Sequence, residues 1–130
     1  MSYFEDLGDG WSLLVRNKSE NYFSITLSKG STIMGAAQID KNSYANNISI
    51  DIEEGYRGRG YGKMLFEIAI EKYIKMFNAD EIRFVIYYAN HIFSNLLLKF
   101  GAEKVLDSGA FKEYVLSLKK YHDFKEKNKT

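Results

Sequence analysis

Cysteine and proline are both absent from this chain. Without cysteine there is no disulfide, no thiolate nucleophile and no cysteine-ligated zinc. Two histidines, His91 and His122, are too few for a histidine-rich metal site. Proline normally makes up about 5% of a chain, but its absence here has no functional reading. No apolar run approaches the ~18 residues that a membrane span needs. Met1-Ser2-Tyr3-Phe4-Glu5-Asp6 has no basic patch leading into an apolar stretch, so no secretory leader is expected either. Charge of one sign is missing as well: 18 basic against 17 acidic residues leave +1. That lacks the footprint of a phosphate-backbone binder and argues against nucleic acid as a partner. The expectation is a cytoplasmic protein without a membrane anchor.

What is present suffices for a packed core. The chain has 130 residues, 45% of them hydrophobic and 15% aromatic, which is globular composition within one ordinary domain. Residues 1–118 read as a single domain. Residues 119–130 read as a frayed polar tail, in which Lys119, Lys120, Lys125, Lys127 and Lys129 are interrupted by Asp123 and Glu126.

The first half has the period of two expected of half-buried strands. Trp11 to Arg16 and Tyr22 to Ser28 flank a polar turn at Asn17 to Asn21, and in the second strand Phe23, Ile25 and Leu27 alternate with small polar residues. Ile33 to Asp40 follows, with Ile33, Gly35, Ala37 and Ile39 on one face, and then Ile48 to Glu53 in strict alternation. From Gly62 to Phe77 the period changes. Lys63, Glu67, Glu71 and Lys75 form a charged row beside a broad apolar face, the pattern of a helix packed on a sheet. Glu71 and Lys75 have the favourable order for an i, i+4 pair. Glu81 to Tyr88 reads as a buried strand, Asn90 as the cap of a helix from His91 to Phe100, and Gly101 as its end. Val105-Leu106 and Phe111 to Leu118 close the chain as a hairpin around Ser108-Gly109. The fold class is α+β, a mixed but mostly antiparallel twisted sheet in the order β-β-β-β-α-β-α-β-β. The strand-helix-strand unit in its middle should make a right-handed parallel crossover.

Chemistry concentrates between the fourth strand and the first helix, in Arg57-Gly58-Arg59-Gly60-Tyr61-Gly62-Lys63. Glycines at alternate positions let the backbone turn tightly and approach a ligand without Cβ interference. They stand where a helix begins, so unpaired amides and the positive end of the dipole face the same way. Arg57, Arg59 and Lys63 add side-chain charge. Such a turn should hold a phosphate or pyrophosphate. A nucleotide P-loop would need glycine at Arg57 and Ser or Thr at Met64, and a dinucleotide fingerprint would need its third glycine at Lys63.

The run Arg57-x-x-Gly60-x-Gly62, at the junction of an apolar strand and an amphipathic helix, resembles the pyrophosphate loop of the GNAT N-acetyltransferase superfamily. Asn90 followed by a helix to Lys99-Phe100-Gly101 resembles a second stretch of that family at the right spacing. The resemblance spans about Ile48 to Leu118. It implies that Arg57, Gly58, Arg59, Gly60, Tyr61, Gly62 and Lys63 bind the pyrophosphate of acetyl-CoA. It further implies that the backbone of Ile50 to Ile52 pairs with the pantetheine arm like an extra strand. One amide of that strand would polarise the thioester carbonyl, and Asn90 would contact the pantetheine or hold the next helix. An amine then attacks the thioester directly.

Three positions depart from the family pattern. The tyrosine that serves many members as general acid falls at Leu97, a frequent carboxylate base at Val85, and a common proline before the loop at Glu54. A thiol of pKa ~8.5 leaves at pH 7 with only ~2 kcal/mol of missing protonation, so loss of the acid is tolerable. Deprotonating a lysine of pKa ~10.4 costs ~4.6 kcal/mol, against ~1.4 or less for an α-amine near 8, so a base matters more for lysine. Asp51 and Glu53, opposite Ile50 and Ile52 in the alternation, are the candidate catalytic carboxylates. Tyr87, Tyr88 and Tyr114 are candidates for lining the acceptor site or replacing the acid.

Family members commonly insert two helices between their first two strands, where this chain has only Asn17 to Asn21. The acceptor groove should therefore be open, suiting a peptide or protein amine or a lid from another subunit. The expected activity is acetyl transfer from acetyl-CoA to a primary amine, with a homodimer through an exposed sheet edge. The alternative is a catalytically silent acyl-CoA-binding module.

Overall fold

The computed structural model describes residues 2–44, 46–87 and 91–129, with His91 described by its backbone alone. Five strands come first: β1 (Ser2–Gly8), β2 (Trp11–Ser19), β3 (Tyr22–Lys29), β4 (Thr32–Asp40) and β5 (Ile48–Ile52). A 3-10 turn at Glu54–Tyr56 leads into α1 (Tyr61–Phe77). Then follow β6 (Glu81–Tyr87), α2 (His91–Lys99), β7 (Glu103–Asp107), β8 (Phe111–Ser117) and α3 (Leu118–Lys127). The α+β class and the internal order hold, with one strand added in front and one helix behind.

The added strand β1 is mostly exposed and lacks alternation, so it carries no period to read. Its turn does carry a signal. Asp9 and Gly10 have φ of 54° and 84°, and an Asp-Gly pair with both φ positive is the preferred two-residue hairpin turn. Lys72 of α1 ties β1 down by an ion pair to Glu5 at 2.9 Å. Partial burial disfavours the charged form of Lys72, but the hydrogen bond to Glu5, together with the charges and bonding of Glu5 and Tyr3, outweighs it and raises the pKa.

The strands do not form one mixed sheet. β1 to β5 make a five-stranded antiparallel meander, and β6, β8 and β7 make a separate three-stranded antiparallel sheet. Residues Leu65, Phe66, Ala69, Ile70 and Tyr73 of α1 are buried, and Phe66 meets Phe84 of β6 edge-on at 5.2 Å. One apolar core thus joins α1 to both sheets.

Strict alternation in β5 is borne out: Ile48 and Ile52 are buried, and Ser49 and Asp51 are exposed. In β4 the expected face breaks at its first residue. Leu27 pairs with Gly35 but Ser28 with Ile33, so a bulge at Met34 reverses the facing. Met34 is buried and Ile33 is 53% exposed. The helical i, i+4 pair is also not what forms. Glu67 bonds Lys125 of α3 at 3.4 Å, and no ion pair joins Glu71 to Lys75 among the described residues.

The frayed tail is overturned. Ser117 caps α3 by accepting a bond from the Lys120 amide at 3.1 Å. Tyr121 is 2% exposed, and its ring and that of Phe124 pack on Phe100 at 5.5 and 4.9 Å. Leu118, Tyr121 and Phe124 recur every three residues, so the lysines occupy the outer side of an amphipathic helix. Burial beside Glu71 and Glu67 pushes the Tyr121 phenol well above its usual pKa.

Gly35 is the position where β4 and β5 come closest. A Cβ there would lie 2.7 Å from the Ile52 side chain and 2.8 Å from the Asp51 carbonyl oxygen. Gly35→Ala should therefore push β5 away from β4, costing about 2 kcal/mol as overpacking does. In a thermal melt this appears as a fall of roughly 7 °C in Tm, and a fall under about 2 °C would disprove the constraint.

Candidate active site

The site begins with the outer edge of β5. Ile52 lies opposite Gly35, and the Glu53 amide donates to the Met34 carbonyl at 2.9 Å. Hydrogen-bonded and non-bonded pairs alternate along antiparallel strands. Asp51 and Ser49 therefore turn their backbone groups towards β4, while Ile50 and Ile52 turn theirs outward. On that outer side the strand has no ladder among the described residues, because β6 belongs to the other sheet.

Beyond Ile52 the chain turns through Glu54–Tyr56 into the glycine loop. Gly58 and Gly60 have φ of 79° and 84°, which L side chains adopt only with strain. A Cβ at either would meet nothing within 4 Å, so the space above the loop is open. Gly60 is the N-cap of the 17-residue α1 and supplies no side-chain cap, and no acidic residue stands in the first turn. The leading amides and the positive dipole end are thus left for an anion.

Arg57 is anchored. Its Nε donates to the Ile52 carbonyl at 2.9 Å, and one terminal nitrogen reaches Asp51 at 3.3 Å. It fastens the loop to β5 while leaving its charge beside the groove. Lys63 is exposed and lines the groove. Arg59 and Tyr61 are turned elsewhere: the guanidinium lies over the Tyr56 ring at 5.8 Å, and the Tyr61 ring stacks against Trp11 at 5.2 Å. Gly62 faces Phe93 and Ile52 at ordinary contact distance.

These elements enclose one side of a groove of about 690 Å³ that includes Ile50, Asp51 and Ile52. Its opposite wall is α2, through Ile92, Phe93, Asn95, Leu96 and Lys99. Sequence reasoning did not assign these five residues. Ile92, Asn95, Leu96 and Lys99 fall at i, i+3, i+4 and i+7, one helical face, and that stripe was the available signal.

The proposed carboxylates separate. Asp51 is on the groove wall with its side chain 83% exposed, whereas Glu53 is exposed and does not line the groove. Leu97 is fully buried, so that position presents nothing to a leaving group. Val85 is half-buried. Tyr114 is a core residue and cannot line an acceptor site, and Tyr87 is 71% exposed at the end of β6. Asn90 and Tyr88 lie outside the described residues.

The profile of the acetyltransferase (GNAT) family matches residues 2–102. Nothing matches among curated protein sequences. Solved structures supply the fold. The spermidine/spermine N-acetyltransferase SpeG from Vibrio cholerae, crystallised with manganese ions, superposes with a TM-score of 0.68 at 14% identity over 82% of this chain and 71% of that one. The N-acetyltransferase PseH from Campylobacter jejuni, in complex with acetyl coenzyme A, gives 0.64 at 11% identity over 78% and 71%. The chain belongs to the GNAT acetyltransferase family, and its acyl donor is acetyl-CoA. The residues fit that donor: an uncapped helix start with open space above two left-handed glycines can take a pyrophosphate, and an outward strand edge can take an amide-bearing arm.

Lys99 tests the wall that the sequence did not announce. An exposed charge beside a phosphate-bearing ligand is worth up to ~1 kcal/mol. Lys99→Ala should then weaken acetyl-CoA binding about threefold to fivefold in a low-salt titration. An unchanged affinity would remove α2's cation from the site.

Proposed function

We propose that this acetyltransferase binds the pyrophosphate of acetyl-CoA through the amides of Gly58 to Lys63, with Arg57 and Lys63 contributing charge from the groove and Arg59 more distantly from its place over the Tyr56 ring. Ile50 and Ile52 hold the pantetheine arm through their outward backbone groups, and Asn90, which precedes α2 in sequence, assists. The observation that carries this reading is the opening of the glycine loop and the unpaired edge of β5 into one groove.

When bound, acetyl-CoA supplies an activated acetyl thioester. The Ile50 amide then faces the acyl carbonyl and stabilises the charge that develops on its oxygen. Asp51, on the groove wall, receives the proton of the attacking amine and passes it to solvent, with Glu53 as the second carboxylate. Leu97 offers no acid, so the thiolate leaves unprotonated, at a cost of ~2 kcal/mol near pH 7.

The acceptor we favour is a peptide or protein amine. β2 and β3 are joined by Glu20-Asn21 alone, so no insertion covers the sheet at that turn. Register brings Phe4, Leu14, Thr26, Ala36 and Asp51 into one row across β1 to β5. This row lies on the face opposite buried Leu13, Val15, Ile25 and Leu27. It offers an extended chain a track that ends at the carboxylate. No helix among the described residues is long and apolar enough to cross a membrane. We place the reaction in the cytoplasm, by a homodimer formed through an exposed strand edge.

A thermal melt tests the donor site. Acetyl-CoA at ~100 times its Kd should add about 2.7 kcal/mol, raising Tm by roughly 10 °C. Arg57→Ala and Gly60→Trp should lose most of that shift, and a wild type that does not shift would refute the site. For the acceptor, peptides with free amines should release CoA, and Asp51→Asn should cut kcat by at least tenfold. Turnover of a small polyamine with none on any peptide would refute the acceptor class.

A further inference from the structure

Among the polar side chains the proposed chemistry leaves unused, Asn47 is the most thoroughly bonded. It is 3% exposed, although it stands just before β5 in a loop rather than inside an element. A buried amide away from its partners is costly, so such a side chain persists where its bonds are made. Asn47 makes them on two sides. Towards β6, its Oδ1 accepts from the Arg83 amide at 2.9 Å, and its own amide donates to the Arg83 carbonyl at 2.9 Å. Towards the preceding loop, its Nδ2 donates to the carbonyls of Asp40 at 3.0 Å and Ser43 at 3.1 Å, with Lys41 at 3.5 Å. The Arg83 guanidinium closes the ring by donating to the Ser43 carbonyl at 3.2 Å.

Asn47 thus exchanges two hydrogen bonds with the backbone of Arg83 alone, one through its own backbone and one through its side chain. A parallel ladder joins each residue to two residues of its neighbour, so this reciprocal pair does not extend into one. The end of β5 and the start of α2, which follows β6, line the same groove. The two strands therefore leave Asn47 in the same direction and part, into separate sheets. Beyond this point the amides of Ile50 and Ile52 have no backbone partner among the described residues.

We infer that Asn47 is a positioning residue: its pair of hydrogen bonds to the Arg83 backbone stops β5 and β6 from zipping together and sets the gap that admits the acyl-bearing arm of the donor. The inference rests on the reading of the groove as the acetyl-CoA site. It concerns the arm alone, since the loop that holds the phosphates lies past the far end of β5. A residue that merely stabilises the fold would affect every ligand of the folded protein alike.

Calorimetric titration separates the cases with two ligands: acetyl-CoA, and 3′-phosphoadenosine 5′-diphosphate, its nucleotide half. Asn47→Ala should weaken acetyl-CoA at least tenfold and leave the nucleotide half within twofold. Equal losses for both ligands, or no loss for either, would overturn the inference. Asn47→Asp keeps the acceptor for the Arg83 amide but turns a carboxylate oxygen, in place of the Nδ2 donor, towards the loop carbonyls. It should melt below the wild type yet bind acetyl-CoA within about twofold, and this variant decides the matter if the alanine variant does not fold. A selective loss of acetyl-CoA affinity in the aspartate variant would assign the effect to the loop and overturn the strand-pair role. A wild type that binds neither ligand would refute the donor site itself.

Discussion

The organisation of this protein depends on keeping two neighbouring strands apart. Left to themselves, β5 and β6 would pair, because an unpaired strand edge next to another is a strong template. Asn47 spends its bonding on Arg83 at the root of the two strands, and the sheets diverge from there. The outward amides of Ile50 and Ile52 follow from that divergence, and so does a groove with sheet edge on one side and helix on the other. α1 then fills the space between the sheets. Phe66 touches Phe84, Phe93 and Phe100, which belong to β6, α2 and the end of α2.

Charge is arranged around the same opening. Arg57 spans from the loop back to the carbonyl of Ile52 and the carboxylate of Asp51. Arg57 thus ties the glycine loop back to β5. Lys63 and Lys99 face the groove from opposite helices. Near-neutral net charge therefore conceals a locally cationic site, since Arg57, Lys63 and Lys99 line the groove against the single carboxylate of Asp51.

What the chain omits shapes its chemistry as much as what it contains. The family's tyrosine position is Leu97, fully buried, so no rotamer change at that position brings an acid into the groove. A two-residue turn replaces a helical insertion at Glu20-Asn21. Among the described residues the groove presents a strand edge, the glycine loop and one carboxylate, Asp51. On the proposed mechanism these suffice when the leaving group is a thiol and the acceptor amine is easily deprotonated.

Local pattern determined most of the elements. Period-two runs gave β2 to β5, the four-residue charged row gave α1, and Gly101, with φ of 96°, ended α2 as read. The glycine loop was equally legible, because positive φ and an uncapped helix start leave their mark in residue types. Tertiary structure alone decided the rest. A bulge exchanged Met34 for Ile33 in the core, which no alternation can announce, since one inserted residue reverses every later face. α3 became a helix because Phe100, distant in sequence, offered its ring to Tyr121 and Phe124. α2 became a groove wall, and Asp51 rather than Glu53 reached it, for the same reason. These outcomes depend on which surfaces meet, and a linear sequence states only which surfaces exist.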